Sequence, residues 1–90
     1  MNITATRLPG VIILEPRKHG DERGFLFESW SRRRYEEAGM PGEFVQDNVS
    51  CSTRGVLRGL HYQHPNGQGK LVQVLDGMVW DVAVDIRRGS

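Results

Sequence analysis

The sequence predicts an all-β fold, an antiparallel sandwich or jelly roll with one short helix, of which these 90 residues form an incomplete part. Three observations carry that expectation. Short runs of β-branched and aromatic residues recur between glycine-marked turns. Only one stretch has the punctuation of a helix. Six strands can be counted where a closed jelly roll needs about eight, and the last apolar run ends at Arg87-Arg88-Gly89-Ser90 with no further segment to cover it. A chain this size makes one domain at most and buries only roughly 60 to 65% of its unfolded surface. Residues 1–90 are therefore expected to be the N-terminal part of a single domain.

The elements follow in order. Val11 to Leu14 is β-branched and apolar, and Pro16 stops it. Arg17 to Gly24 is charged and bounded by glycine, so it is expected as a loop. Phe25 to Glu28 resumes as a strand. Ser29 or Ser31 can cap a helix through Tyr35 to Ala38, ended by Gly39 and Pro41. Its basic residues come first and its acidic residues last, against the helix dipole, so about two turns are expected. Phe44 to Ser50 and Val56 to Gln63 read as further strands.

The strongest local signal is a hairpin. KLVQVL (70–75) and MVWDVAVDI (78–86) are joined by Asp76-Gly77, the pair favoured in a two-residue type I′ turn. That register sets Leu75 opposite Met78, Val72 opposite Asp81 and Lys70 opposite Ala83. Both faces then carry apolar residues, as in a sandwich wall covered on both sides. Lys70 falls diagonal to Asp81 and Asp85, within expected salt-bridge reach.

Composition excludes several function classes. Net charge is +1, from 12 basic and 11 acidic residues, so no global field recruits nucleic acid. Arg32-Arg33-Arg34 is followed by Glu36-Glu37 and reads as a solvated helix face. Cys51 is the only cysteine; an internal disulfide is impossible, and a free thiol suits a reducing compartment. The longest early apolar run, Val11 to Leu14, is too short for a signal sequence or a membrane span. A cytoplasmic protein with no membrane partner is expected.

Chemistry concentrates in GLHYQHPNGQGK, residues 59–70. As a metal site it falls short. His61 and His64 are three apart on an expected strand end and face opposite ways, and no acidic residue lies between Asp47 and Asp76 to add a third ligand. The GxxxxxHxHxxxE pattern of metal-binding cupins is half present, with His61-Tyr62-Gln63 where His-x-His would stand. An acid/base reading fits better. His61 can take a proton α to a carbonyl, and the Lys70 ammonium can stabilise the enolate that forms. The plainer alternatives are a hydrogen-bonded core histidine and a surface strand lysine. Neighbours favour the site: Gln46-Asp47-Asn48 offers amide groups, and Arg58 precedes His61 across Gly59, where a bulge could turn both into one cavity.

FVQDNVSCSTRGVLRGLHYQ (44–63), QGKLVQVLDG (68–77) and DVAVDIRRGS (81–90) closely resemble the dTDP-4-dehydrorhamnose 3,5-epimerase family, and DERGFLFESW (21–30) resembles its N-terminal block. The resemblance implies a cupin-like jelly-roll homodimer that needs no metal or other cofactor. It implies that His61 is the general base acting at C3 and C5 of a dTDP-linked 4-keto-6-deoxy sugar, and that Lys70 stabilises the 4-oxyanion. Arg58, Gln46, Asp47 and Asn48 match substrate-binding positions. Arg23 and Glu28 match binding positions on N-terminal strands exchanged with the partner subunit. Leu26 departs from the pattern, standing where an aromatic residue is common. The family continues for about as long again, and that half carries its general-acid tyrosine, the aspartate that orients the base, and the aromatic that stacks on thymine. Tyr35 and Tyr62 do not match that acid. Two other readings stand beside this one: an epimerase of related dTDP-4-keto sugars acting at one carbon, and a non-catalytic nucleotide-sugar-binding or dimerisation fragment.

Overall fold

The computed structural model describes all 90 residues. In chain order it contains β1 (Asn2–Ala5), β2 (Ile12–Glu15), β3 (Lys18–Asp21), β4 (Gly24–Phe27) and α1 (Arg32–Glu37). The chain divides into two compact units, Met1–Asn48 and Val49–Ser90. Strands outnumber helix, and both sheets are small and antiparallel, so the all-β class holds at that level.

In the first unit β1 pairs with β2, Ile3 opposite Leu14 and Ala5 opposite Ile12. The link between them is built by Leu8-Pro9-Gly10-Val11. Val11 N donates to Leu8 O at 3.0 Å, and Gly10 has φ +92°. Proline second and a positive-φ glycine third make this a type II turn. Thr6 Oγ1 braces it, accepting from Leu8 N at 3.2 Å and lying 2.7 Å from Val11 O. β3 pairs with β4, Lys18 opposite Phe27 and Gly20 opposite Phe25. Segment 17–24 is therefore not the loop its charge suggested. A two-residue turn at Glu22-Arg23 folds it back, with the Asp21 carboxylate accepting from Arg23 N at 2.8 Å. Charged residues are tolerated because neither face of this hairpin is buried. Lys18 lays its ammonium 3.5 Å from the Phe25 ring centroid, and Phe25 stacks near Phe27 at 6.0 Å.

Helix α1 forms where serine and glycine punctuate the sequence. Ser31 is the N-cap, its hydroxyl accepting from Arg34 N at 3.4 Å. Gly39, at φ +84°, ends it: Gly39 N bonds Glu36 O and Met40 N bonds Tyr35 O, both at 3.0 Å. Those two bonds are the Schellman arrangement. Arg32–Glu36 and Arg33–Glu37 pair at 3.1 Å, with the base N-terminal to the acid, the weaker orientation. Six residues of helix result, in line with the opposed dipole. Tyr35 is the one buried hydrophobic residue, 4% exposed. Its hydroxyl donates to Ser29 O at 2.9 Å, and its ring meets Trp30 edge-on at 6.2 Å.

The second unit contains no helix or strand. The expected strand 44–50, which begins in the first unit, and in the second unit the expected strand 56–63 and hairpin 70–86 are corrected, since none of them forms. Gly77 takes φ +85°, but Asp76 does not share the positive φ that a type I′ turn requires at both positions. Lys70 makes no ion pair with Asp81 or Asp85; Asp85 instead pairs with Arg87 at 2.6 Å. The physical reason lies in the pattern that predicted the hairpin. Two apolar faces need two covering layers, an isolated hairpin is marginal in water, and here Met78 and Trp80 stand more than 90% exposed. Local turns take over: Val56 N reaches Thr53 O, and Ser90 N reaches Arg87 O.

Candidate functional site

Arg23 sits in the β3–β4 turn and is held from both ends of the Asp21 carboxylate. Its backbone N–H donates to Oδ1, while Nε and Nη2 donate to Oδ2 at 3.2 and 2.7 Å. The guanidinium hydrogen bond, with help from the backbone one, holds the Asp21 carboxyl below the usual carboxylate range. The pair borders an open cleft lined by His19, Asp21, Arg23, Gly24, Phe25 and Leu26. Glu28, just past β4, lies 3.6 Å from Arg34.

Gln46 and Asn48 point together, with Gln46 Nε2 donating to Asn48 Oδ1 at 3.3 Å. Asp47 makes no side-chain hydrogen bond or ion pair, and it is exposed. Tyr35 is not a free acid: burial first, and the Glu28 charge second, push its hydroxyl above the ordinary tyrosine range.

In the second unit Arg58 is anchored by Ser52 and Cys51. Its Nε donates to Ser52 Oγ at 2.9 Å and its Nη2 to Cys51 O at 3.4 Å. Gly59 follows at φ +108°, a conformation that favours glycine. A side chain there would lie 3.7 Å from His61 Nδ1, ordinary contact distance. His61 and Lys70 are both exposed, and no hydrogen bond or ion pair joins them. Between them, Gln63 Nε2 donates to Asn66 O at 2.9 Å, tying the loop across Asn66 at φ +63°. No group of three or more His, Cys, Asp or Glu side chains stands within metal-binding reach. No helix is long and apolar enough to cross a membrane.

The partners of the candidate arginines and glutamate, Asp21, Ser52, Cys51 and Arg34, are not announced by the sequence as such. Asp21 had a legible signal, the Asp-x-Arg spacing that an Asx turn closes. Ser52 lies six residues from Arg58, a separation no local rule connects.

Comparison with known proteins adds what this geometry lacks. The family model described as dTDP-4-dehydrorhamnose 3,5-epimerase matches residues 5–90. A Pseudomonas aeruginosa protein of that name is 60% identical over the whole of this chain and 50% of its own length. The Shigella flexneri protein of the same name is 59% identical, over 51% of its length. A Streptomyces niveus protein named dTDP-4-dehydrorhamnose 3-epimerase is 39% identical, over 44% of its length. No solved structure matches. The chain spans about half the length of the curated relatives it matches. With a family model covering all but its first four residues, the chain belongs to the dTDP-4-dehydrorhamnose 3,5-epimerase family.

Proposed function

We propose that the protein to which these residues belong inverts C3 and C5 of dTDP-4-keto-6-deoxyglucose, on the route to dTDP-L-rhamnose. The observation that carries this reading is the family match over residues 5–90, at up to 60% identity to relatives of that name. Neutral His61 removes the proton α to the C4 ketone. The electron pair moves onto O4, where the Lys70 ammonium stabilises the enolate, and a proton returned from the opposite face inverts the centre. Repeating the sequence at the second α carbon completes the reaction. Arg23, Glu28, Gln46, Asp47, Asn48 and Arg58 bind the substrate. No metal or other cofactor takes part, since the ketone already acidifies both C–H bonds.

The assembled protein is a cytoplasmic, cupin-like jelly-roll homodimer, residues 1–90 forming the N-terminal part of its single domain. The hairpin of β3 and β4 crosses to the partner subunit and brings Arg23 and Glu28 to its site. Neither nucleic acid nor membrane is a partner.

A second reading has its own support in the 3-epimerase name of the Streptomyces niveus relative: inversion at one carbon only. Incubating the full-length protein with the keto sugar in deuterated water separates the two. Deuterium at C3 and C5 supports the first reading, and deuterium at one carbon supports the second. Deuterium at neither would leave a binding or dimerisation module.

A further inference from the structure

We propose that Asp21 is a positioning residue that fixes the Arg23 guanidinium for the diphosphate of the substrate, an inference that rests on the substrate-binding role proposed for Arg23. A free arginine at a turn tip samples many rotamers, and ordering it on binding opposes affinity. Here Arg23 remains 86% exposed yet is tied at three points to a single carboxylate. Nε and one N–H of Nη2 are spent on Asp21. Three of the five guanidinium N–H groups stay available, a free edge suited to phosphate oxygens.

The spacing itself builds the device. Asp85 and Arg87 repeat it, with Arg87 N and Nε on Oδ1 at 3.0 and 2.9 Å and Nη2 on Oδ2 at 2.6 Å. An Asp-x-Arg sequence at a turn thus grips its own arginine in both units of the chain. At residues 21–23 the grip borders a cleft floored by β3 and β4, which gives the free edge of the guanidinium somewhere to meet a ligand. As surface ion pairs go this one adds little to stability; its effect is on orientation.

The test uses Asp21→Asn, Arg23→Met and the double variant in the full-length enzyme, with dTDP binding followed by calorimetry and turnover by steady-state kinetics. Asparagine retains an oxygen for the Arg23 backbone N–H, so the turn survives while the charged grip is lost. The expected result is dTDP affinity and KM weakened roughly five- to tenfold with kcat kept, and no further loss from Asp21→Asn once Arg23 is methionine. Unchanged or tighter binding in Asp21→Asn, with Arg23→Met still weakened, overturns the positioning role alone. Additive losses in the double variant also overturn it, because Asp21 would then act independently of Arg23. If Arg23→Met binds dTDP normally, the substrate-binding role of Arg23 fails, and this inference fails with it.

Discussion

A neutral imidazole within about 3 Å of an acidic C–H bond is the smallest unit that can begin the proposed reaction, and it sets the first prediction. In the full-length protein His61→Asn should abolish deuterium wash-in at both carbons, because the proposed reaction uses one base for both; wash-in surviving at C5 would require a second base. Lys70→Met lowers turnover by roughly 10²-fold or more, the scale for losing an oxyanion stabiliser, and near-normal turnover would make the lysine structural. Asp85 gives a prediction independent of catalysis. Hydrogen bonds from the Arg87 side chain, then its backbone, lower the Asp85 pKa from 3.8 to about 2. A depressed folded-state value means the stabilisation is present above pH 3.8 and is lost as pH falls through about 2. Carboxyl NMR of the 90-residue chain should therefore show Asp85 titrating near 2, and Arg87→Gln should move the midpoint up towards 3.8. At this scale residue type alone suggests a base at His61 and a cation at Lys70, and those roles stand as proposals. Their juxtaposition was not legible: the Lys70 partners were inferred through a strand register that the second unit does not adopt.

At the scale of elements, legibility followed punctuation. Ser31 and Gly39 bracket α1 where a cap and a C′ glycine should, and Val11 to Leu14 overlaps β2. What escaped notice was β1 with its Pro9-Gly10 turn, because NITA (2–5) is too short and too polar to announce a strand without its partner. β3 was missed for the opposite reason: KHGD (18–21) is charged, and only the Asp21 side chain closing the turn turns it into a hairpin arm. The helix can be tested directly. Ser31→Ala removes the acceptor for Arg34 N and should cost about 1 kcal/mol of local stability, lowering amide protection of Tyr35 and Ala38 roughly fivefold. Gly39→Ala should cost about 1–2 kcal/mol, since at φ +84° the added Cβ meets no atom within 4 Å and the cost is conformational. Equal protection in wild type and both variants would mean that packing of Tyr35, not capping, holds α1.

At the scale of the whole molecule the pattern of the sequence and the structure of these 90 residues differ for one reason. Residues 71–86 alternate in a way that asks for cover on both faces, and within the chain there is nothing to supply it. Val72, Val82, Val84 and Ile86 are all more than half exposed, and Trp80 is 93% exposed. Burying an aliphatic side chain of that size contributes about 1.5–3 kcal/mol, so this stretch leaves several such contributions unrealised, while Tyr35 alone is buried. A set of exposed β-branched side chains with unpaired backbone beside them is a template for association. Expressed by themselves, the 90 residues should therefore bind a hydrophobic dye, exchange the amides of 49–90 within the dead time, and grow in apparent mass with concentration. They should also complete no epimerisation. Trp80→Lys with Val84→Lys, which places charge in the exposed stretch, should suppress the association without altering the protection of α1, because that helix draws on Ser31, Tyr35 and Gly39 in the other unit. Sedimentation velocity across a hundredfold concentration range reads the outcome: a monomer throughout for the unaltered chain would mean that its apolar surface finds cover within the 90 residues after all.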